Sequence, residues 1–146
     1  MDKMKLTYTN EISVADYNML RENVKWGALD EEQAAAGLQN SAFIITCKDG
    51  DKTVGSARVI WDGGYVVYIA DVMVLDTYQL HGIGREMITR LMDTLRKQLK
   101  PGWRMMVVLC AAKGKEEFYK KFDFIERPTD ILGAGMFQWL DYEEEN

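Results

Sequence analysis

Residues 71–97 read DVMVLDTYQLHGIGREMITRLMDTLRK, and this stretch decides the fold. An apolar run typical of a buried strand ends in a polar loop, and a helix with one apolar stripe begins at the glycines Gly82 and Gly84. The run RMMVVLC after the helix predicts a second strand, buried on both faces and parallel to the first. The sequence therefore predicts a mixed α/β (α+β) fold built around a strand–helix–strand unit.

The rest of the chain extends this unit to the order β-α-α-β-β-β-α-β-α-β-β. KLTYT predicts a first strand, and two short helices follow, the second of which opens with a capping pair at Asp30 and Gln33. Residues 41–75 predict three strands joined by hairpin turns at KDGD and DGG. KEEFYKKF predicts a short helix, and FIERP and GMFQWL predict two late strands. We expect one domain over residues 1–146, with a mixed central sheet of about six to seven strands flanked by about four helices.

Composition and charge narrow the class of protein. The chain has 146 residues, a net charge of −5, two cysteines and one histidine. The acidic balance argues against a nucleic-acid partner, and no segment reaches the about 18 apolar residues that a membrane helix needs. An N-terminus without the apolar core of a signal peptide predicts a soluble, cytoplasmic protein with no membrane partner. Cys47 and Cys110 lie in apolar runs, so we expect two buried thiols. Because there is one histidine and no closely spaced pair of cysteines, we expect no metal site.

The loop between the central strand and its helix predicts an anion site. The first N–H groups of a helix have no partners within the helix and form the positive end of its dipole. Glycines let a ligand approach this backbone closely, and phosphate is the usual ligand. The loop lacks the Gly-Lys-Ser/Thr of a P-loop and the third glycine of a Rossmann fingerprint. Two glycines alone also leave open a tight turn that binds nothing.

Two motifs resemble those of the GNAT superfamily of N-acetyltransferases. QLHGIG at residues 79–84 is similar to the family's acetyl-CoA signature, Gln/Arg-x-x-Gly-x-Gly/Ala. FYKKFDF at residues 118–124 is similar to Phe-Tyr-x-Lys-x-Gly-Phe, with Asp123 in place of the glycine; aspartate tolerates the left-handed backbone of such a turn. GAGMFQWL resembles the closing strand of small bacterial members, and the order of elements matches along nearly the whole chain.

This resemblance implies transfer of an acetyl group from acetyl-CoA to a primary amine, with a small molecule as the expected acceptor and no metal. The loop amides would hold the CoA pyrophosphate, and the strand before the loop would lie along the pantothenyl arm. The cofactor-binding residues implied in this way are Val72, Met73, Val74, Gln79, Leu80, His81, Gly82, Ile83, Gly84, Arg85 and Phe118. His81 occupies a variable loop position, so exposure to solvent is the stronger expectation. Arg85 is equally consistent with a phosphate contact and with an exposed first turn.

The resemblance also implies catalytic roles. Tyr119 matches the family's general acid, which would protonate the CoA thiolate; the alternative is a packed aromatic. Asp71 is the candidate general base, directly or through a water, and Glu22 and Glu32 are weaker candidates. Trp26 would line the acceptor pocket, or else pack in the core.

Two other functions stay open at this point. The chain could acetylate protein N-termini or lysines, or it could be a non-catalytic acyl-CoA-binding module. A tyrosine at the position of the general acid favours an enzyme over a binding module. The family resemblance also leaves open a homodimer formed by the late strands.

Overall fold

The computed structural model describes residues 3–144, and within them the element order matches the predicted one as far as the last helix. The five strands are β1 Leu6–Thr9, β2 Phe43–Asp49, β3 Lys52–Trp61, β4 Val66–Val74 and β5 Met106–Val108. The four helices are α1 Val14–Asn23, α2 Glu31–Gln39, α3 Ile83–Gln98 and α4 Glu116–Lys120, and a 3-10 turn covers Asp76–Tyr78. The predicted capping pair forms, because Asp30 Oδ1 accepts a hydrogen bond from Gln33 N at 3.0 Å.

The strands form one mixed sheet in the order β1-β2-β3-β4-β5. The first four are antiparallel neighbours, whereas β4 and β5 are parallel, as the crossover through α3 predicts. The parallel pairing joins only residues 66–68 to residues 106–108. β4 continues to Val74, and no described strand lies along this part of its β5-side edge. The sheet therefore splits towards the carboxyl end of β4.

The apolar stripe of α3 packs on the sheet as predicted. Its five central side chains are each 2% exposed or less: Ile83, Met87, Ile88, Leu91 and Leu95. Gly55 of β3 makes room for the first turn, since a Cβ at this position would lie 3.1 Å from Met73 O and 3.2 Å from Ile83 Cγ2. The start of α3 is thereby held close to both β3 and β4.

The two predicted late strands do not form in the described structure. In residues 125–144 the one backbone–backbone hydrogen bond joins Thr129 N to Leu132 O at 2.8 Å. The composition of GMFQWL suits a strand, but a strand needs a neighbour that takes up its N–H and C=O groups. Four large side chains of this segment are at least 82% exposed: Met136, Phe137, Trp139 and Leu140. The expected six to seven strands are therefore five among residues 3–144.

β5 is shorter and more exposed than predicted. It ends at Val108, and Met106 is 45% exposed, so RMMVVLC is not a strand buried on both faces. Cys47 is buried as expected, but Cys110 is exposed because it lies beyond the end of β5. Among residues 3–144, no helix has both the length and the apolar character that crossing a bilayer requires.

Internal contacts divide the chain into two compact units after Leu109. The first unit holds the sheet and helices α1 to α3, and the second holds α4 and the segment that follows it. The single-domain assignment stays a prediction.

Candidate active site

The loop between β4 and α3 presents a row of free backbone donors. The six N–H groups from Leu80 to Arg85 have no hydrogen-bond partner among the described residues, and helical bonding begins with Glu86 N to Gly82 O at 3.0 Å. Gly82 is the N-cap with φ 82°, and no side chain of the described residues caps the helix. These donors lie at the positive end of a 16-residue helix, which favours a bound anion.

The side chains of the loop have more limited roles. Gln79 Nε2 donates to Val74 O at 3.4 Å, so Gln79 ties the loop to the end of β4. His81 and Arg85 are exposed, as expected for His81 and as one of the two alternatives for Arg85. Leu80 is fully exposed and has a left-handed φ of 65°. The loop thus offers an incoming ligand mainly backbone.

A β-bulge interrupts the pairing of β4 with β3 before β4 reaches this loop. Arg58 faces Ala70, whereas Ser56 faces Met73, so one residue of β3 stands opposite two residues of β4, Asp71 and Val72. Asp71 has φ 54°, an uncommon backbone conformation for a residue other than glycine, asparagine or aspartate. Met73 is buried in the core at 1% exposure, whereas Val72 and Val74 are half-buried. The backbone of residues 72–74 lies where the sheet has split.

Asp71 lies in a cluster with Tyr17, Arg21 and Arg58. Asp71 Oδ2 accepts hydrogen bonds from Tyr17 OH at 2.5 Å and from Arg58 Nε at 2.7 Å. Asp71 Oδ1 has a longer contact, 3.5 Å to Arg21 Nη1. The three charged side chains are only 13–17% exposed. Burial and the bond to Asp71 raise the pKa of Tyr17, so its hydroxyl stays a donor.

Trp26 joins this cluster through Arg21. The Arg21 guanidinium lies 5.8 Å from the centre of the Trp26 ring, and Trp26 is 43% exposed, so it is not a core aromatic. Glu22 accepts instead from Ala28 N at 3.1 Å, and Glu32 is exposed on α2. The structure therefore brings Asp71 and Trp26 together, but neither glutamate.

The sequence pattern did not single out Tyr17, Arg21 and Arg58 as site residues. Arg58 had a usable signal, because it interrupts the apolar run VGSARVIW and a charged residue in a buried strand is usually paired. Asp71 interrupts the neighbouring strand and is its partner. Tyr17 and Arg21 have no such signal, since both residue types are ordinary on a half-exposed helix.

In the second unit, Tyr119 of α4 is buried at 8% exposure. Its ring packs edge-on against Phe118 at 4.9 Å and Phe124 at 6.1 Å. Burial raises the pKa of Tyr119 to about 12. The hydroxyl has no hydrogen-bond partner among the described residues, yet no fully buried side-chain oxygen there lacks one, so the hydroxyl reaches solvent. Tyr119 thus offers a neutral, unused donor.

Asp123 in the same unit takes the left-handed position of the missing glycine, with φ 68°. Its N–H donates to Lys120 O at 3.0 Å, which closes the turn after α4. This confirms that aspartate keeps the turn of the second motif intact.

Comparison with known families and proteins gives a consistent result. The model of the acetyltransferase (GNAT) family matches residues 8–124. The uncharacterised N-acetyltransferase ycf52 of Pyropia yezoensis is 30% identical over 132 residues, which are 88% of this chain and 74% of that protein. The histone acetyltransferase TAP1 of Glycine max is 26% identical over 134 residues, which are 84% of this chain and 56% of that protein.

Solved structures show the same fold. A Staphylococcus aureus protein described as a probable acetyltransferase superposes with a TM-score of 0.82 at 31% identity, over 93% of this chain and 100% of its own. A GNAT family protein from Streptococcus pneumoniae superposes with a TM-score of 0.73 at 23% identity, over 97% of this chain and 100% of its own. The second similarity is one of fold alone.

Proposed function

Because the chain belongs to the acetyltransferase (GNAT) family, we propose that it transfers an acetyl group from acetyl-CoA to the primary amine of a small molecule, by direct attack within a ternary complex. The observation that carries this proposal is the row of unpartnered N–H groups from Leu80 to Arg85. A CoA pyrophosphate would accept these hydrogen bonds and would lie at the positive end of α3. The signature residues Gln79, Gly82 and Gly84 would act mainly through the backbone they allow.

The split sheet supports a place for the rest of the cofactor. Beyond Tyr68 the β5-side edge of β4 has no strand neighbour among residues 3–144. An amide-containing arm can pair with such an edge as a strand would, which suits the pantothenyl arm. A free amide of residues 72–74 would then stabilise the oxyanion of the tetrahedral intermediate.

Asp71 is the proposed base for the acceptor. The attacking amine must lose a proton as the N–C bond forms and the C–S bond breaks. Oδ2 is occupied by Tyr17 and Arg58, but Oδ1 has only the 3.5 Å contact to Arg21 among the described residues. Oδ1 therefore has capacity to accept a proton from the amine, directly or through a water.

Tyr119 is the proposed partner of the departing thiolate, on the strength of the family match, which spans residues 8–124. With a pKa of about 12, the hydroxyl stays protonated at neutral pH. An ordinary thiol has a pKa of about 8.5, so complete proton transfer from this tyrosine to a thiolate is uphill. We therefore assign Tyr119 mainly the role of a hydrogen-bond donor to the charge that develops on sulfur, with Phe118 supporting its ring.

A protein amine is the second candidate acceptor. The similarity to a protein named as a histone acetyltransferase favours this alternative, although the chain spans only 56% of that relative. Trp26 is half-exposed and lies against Arg21 of the Asp71 cluster, where it suits either a small aromatic acceptor or a side chain of a peptide.

We also propose that the chain forms a homodimer through residues 135–140. Met136, Phe137, Trp139 and Leu140 are each at least 82% exposed, and an exposed apolar patch of this kind marks an association site. β5 ends the sheet, and the basic residues Lys100 and Arg104 precede it, whereas the acidic residues Asp141, Glu143 and Glu144 follow the segment. Antiparallel addition of the segment to β5 of a second copy brings these opposite charges together.

Calorimetric titration tests the enzyme proposal first. Acetyl-CoA and its analogue without the 3′-phosphate should both bind, since both keep the pyrophosphate, whereas acetyl-phosphopantetheine should bind much more weakly. Thiol release with a panel of primary amines then tests transfer. If acetyl-CoA does not bind at millimolar concentration, the proposal fails. Binding without transfer to any small amine or lysine peptide would favour a non-catalytic module.

A further inference from the structure

The cluster around Asp71 carries more positive than negative charge. Arg21 and Arg58 contact one carboxylate, Asp71, and no other carboxylate contacts either guanidinium among the described residues. Two positive charges and one negative charge leave one positive charge, since the neutral hydroxyl of Tyr17 adds none. The side chains are at most 17% exposed, and an unbalanced charge in such a place is costly unless something compensates it.

Arg21 also has unused donors. Its Nε donates to Gly27 O at 2.9 Å, and within residues 3–144 its Nη1 has only the 3.5 Å contact to Asp71 Oδ1. Its Nη2 has no partner in the described part of the chain. Because no fully buried side-chain nitrogen there lacks a partner, Nη2 opens to solvent. The two Nη atoms of one guanidinium suit a bidentate oxyanion.

The rings beside Arg21 restrict how this guanidinium can move. Arg21 lies 5.9 Å from the centre of the Tyr17 ring and 5.8 Å from that of Trp26. The bond from Nε to Gly27 O fixes the plane of the fork. A held guanidinium with free donors is organised before any ligand arrives, which lowers the cost of binding.

We propose that Arg21, together with Arg58 on the same Asp71 carboxylate, forms an anion-binding subsite. Its ligand is a carboxylate or phosphate carried by the acceptor amine. This inference rests on the proposed function, because it places the acceptor beside Asp71 and residues 72–74. The substrate class is then a primary amine that also carries an oxyanion, such as an amino acid or an aminoalkyl phosphate. With a net charge of −5, the chain as a whole repels anions, so this selectivity depends on the local charge of the cluster.

Titration of the full chain with inorganic phosphate tests the subsite without any turnover. At constant ionic strength, the Arg21 Nε–H resonance should shift and saturate, and that of Arg58 should follow. R21Q should abolish the saturation, whereas R21K should retain part of it. K25Q is the matched control, because it removes one positive charge from an exposed neighbour outside the cluster and should leave the curve unchanged. A linear, unsaturated response, or equal loss in R21Q and K25Q, would overturn the subsite.

Matched acceptors give the second arm. Thiol release should be faster for an amino acid than for its amide by about tenfold in kcat/KM, a factor that one charge-assisted contact commonly gives. R21Q should lose this preference and keep its affinity for acetyl-CoA. Equal kcat/KM for acid and amide, with transfer intact, overturns the subsite and leaves the acetyltransferase standing. Failure to bind acetyl-CoA overturns the proposed function instead, and the phosphate titration still decides the subsite.

Discussion

At the scale of single residues, the environment of Tyr119 decides what its hydroxyl can do. Burial disfavours the phenolate and raises the pKa to about 12, so the proton stays on oxygen across the physiological range. A hydroxyl of this kind is a permanent donor and a poor acid. Its contribution to catalysis should therefore depend on the hydrogen bond and change little with pH.

We expect Tyr119→Phe to lower kcat by about 10²-fold, the lower end for loss of one hydrogen-bond donor to charge in a transition state, with little change in the Kd of acetyl-CoA. The ring contacts with Phe118 and Phe124 remain in this variant. Stopped-flow thiol release and calorimetry measure the two quantities. Tyr65→Phe is the control, because it removes the hydroxyl of a tyrosine that is 67% exposed and lies outside the site, so it should leave kcat unchanged. Unchanged turnover in Tyr119→Phe at every pH would remove Tyr119 from the mechanism.

The same pKa predicts how stability depends on pH. Below pH 10 the Tyr119 hydroxyl is neutral in both the folded and the unfolded chain. Between pH 10 and about 12 the unfolded state releases this proton while the folded state keeps it, so the free energy of unfolding should fall. The loss should be on the order of 2 kcal/mol. In urea titrations the free energy of unfolding of the wild type should therefore fall relative to that of Tyr119→Phe as pH rises above 10; parallel curves would contradict this prediction.

For Asp71, we expect Asp71→Asn to cut turnover sharply and to destabilise the fold by about 1–3 kcal/mol, because two poorly exposed guanidiniums lose their carboxylate. Asparagine tolerates the left-handed φ of 54°, so the bulge should persist. Chemical denaturation and thiol release measure the two effects. Glu22→Gln is the control, since Glu22 lies outside the cluster; wild-type turnover in Asp71→Asn would exclude Asp71 as the base.

At the scale of elements, the first turn of α3 has two parts with different roles. Its apolar side chains pack in the core, and its backbone N–H groups are the proposed donors to the cofactor. Ile83 and Met87 anchor the first turn in the core, while the N–H groups at its start have no hydrogen-bond partner among residues 3–144. The buried side chains of this turn thus hold its backbone N–H groups in a fixed position. Such an arrangement loses little conformational entropy when an anion binds.

We expect Gly84→Asp to abolish acetyl-CoA binding in calorimetry, because a carboxylate within the row of donors would both repel the pyrophosphate and occupy its place. Gly84→Ala is the matched control and separates charge from bulk. Circular dichroism should show both variants folded. Affinity of Gly84→Asp within about tenfold of the wild type, or 1.4 kcal/mol, would refute the assignment of this loop.

At the scale of the whole molecule, local patterns in the sequence were sufficient for some features and not for others. The stripe of α3 and the turn from β4 into that helix were predictable because their determinants lie within one turn or loop. The cluster at Asp71 was not, since its hydrogen bonds join residues 13 and 54 positions apart, on α1, β3 and β4. The prediction of two late strands was wrong because strand formation depends on a neighbouring strand, which composition does not specify.

The exposed segment at residues 135–140 leads to a prediction for the assembly. Light scattering after gel filtration should give twice the mass of one chain, and the pair Phe137→Asp and Trp139→Asp should reduce it to a single chain. Ile131→Asp is the control, because Ile131 is 90% exposed but lies outside the segment. A wild type that stays monomeric at high concentration would contradict the homodimer.

The split between β4 and β5 has a consequence for the order of events. Within residues 3–144 the pairing of these two strands covers three residue pairs, and the β5-side edge of β4 stays open beyond Tyr68. A cofactor arm paired with this edge would take the place of a sixth strand for as long as it is bound. The acceptor site beside the edge would be complete only after the donor had bound. Such an enzyme is expected to bind its donor before its acceptor. After the donor has left, its sheet should open most easily at the β5-side edge of β4.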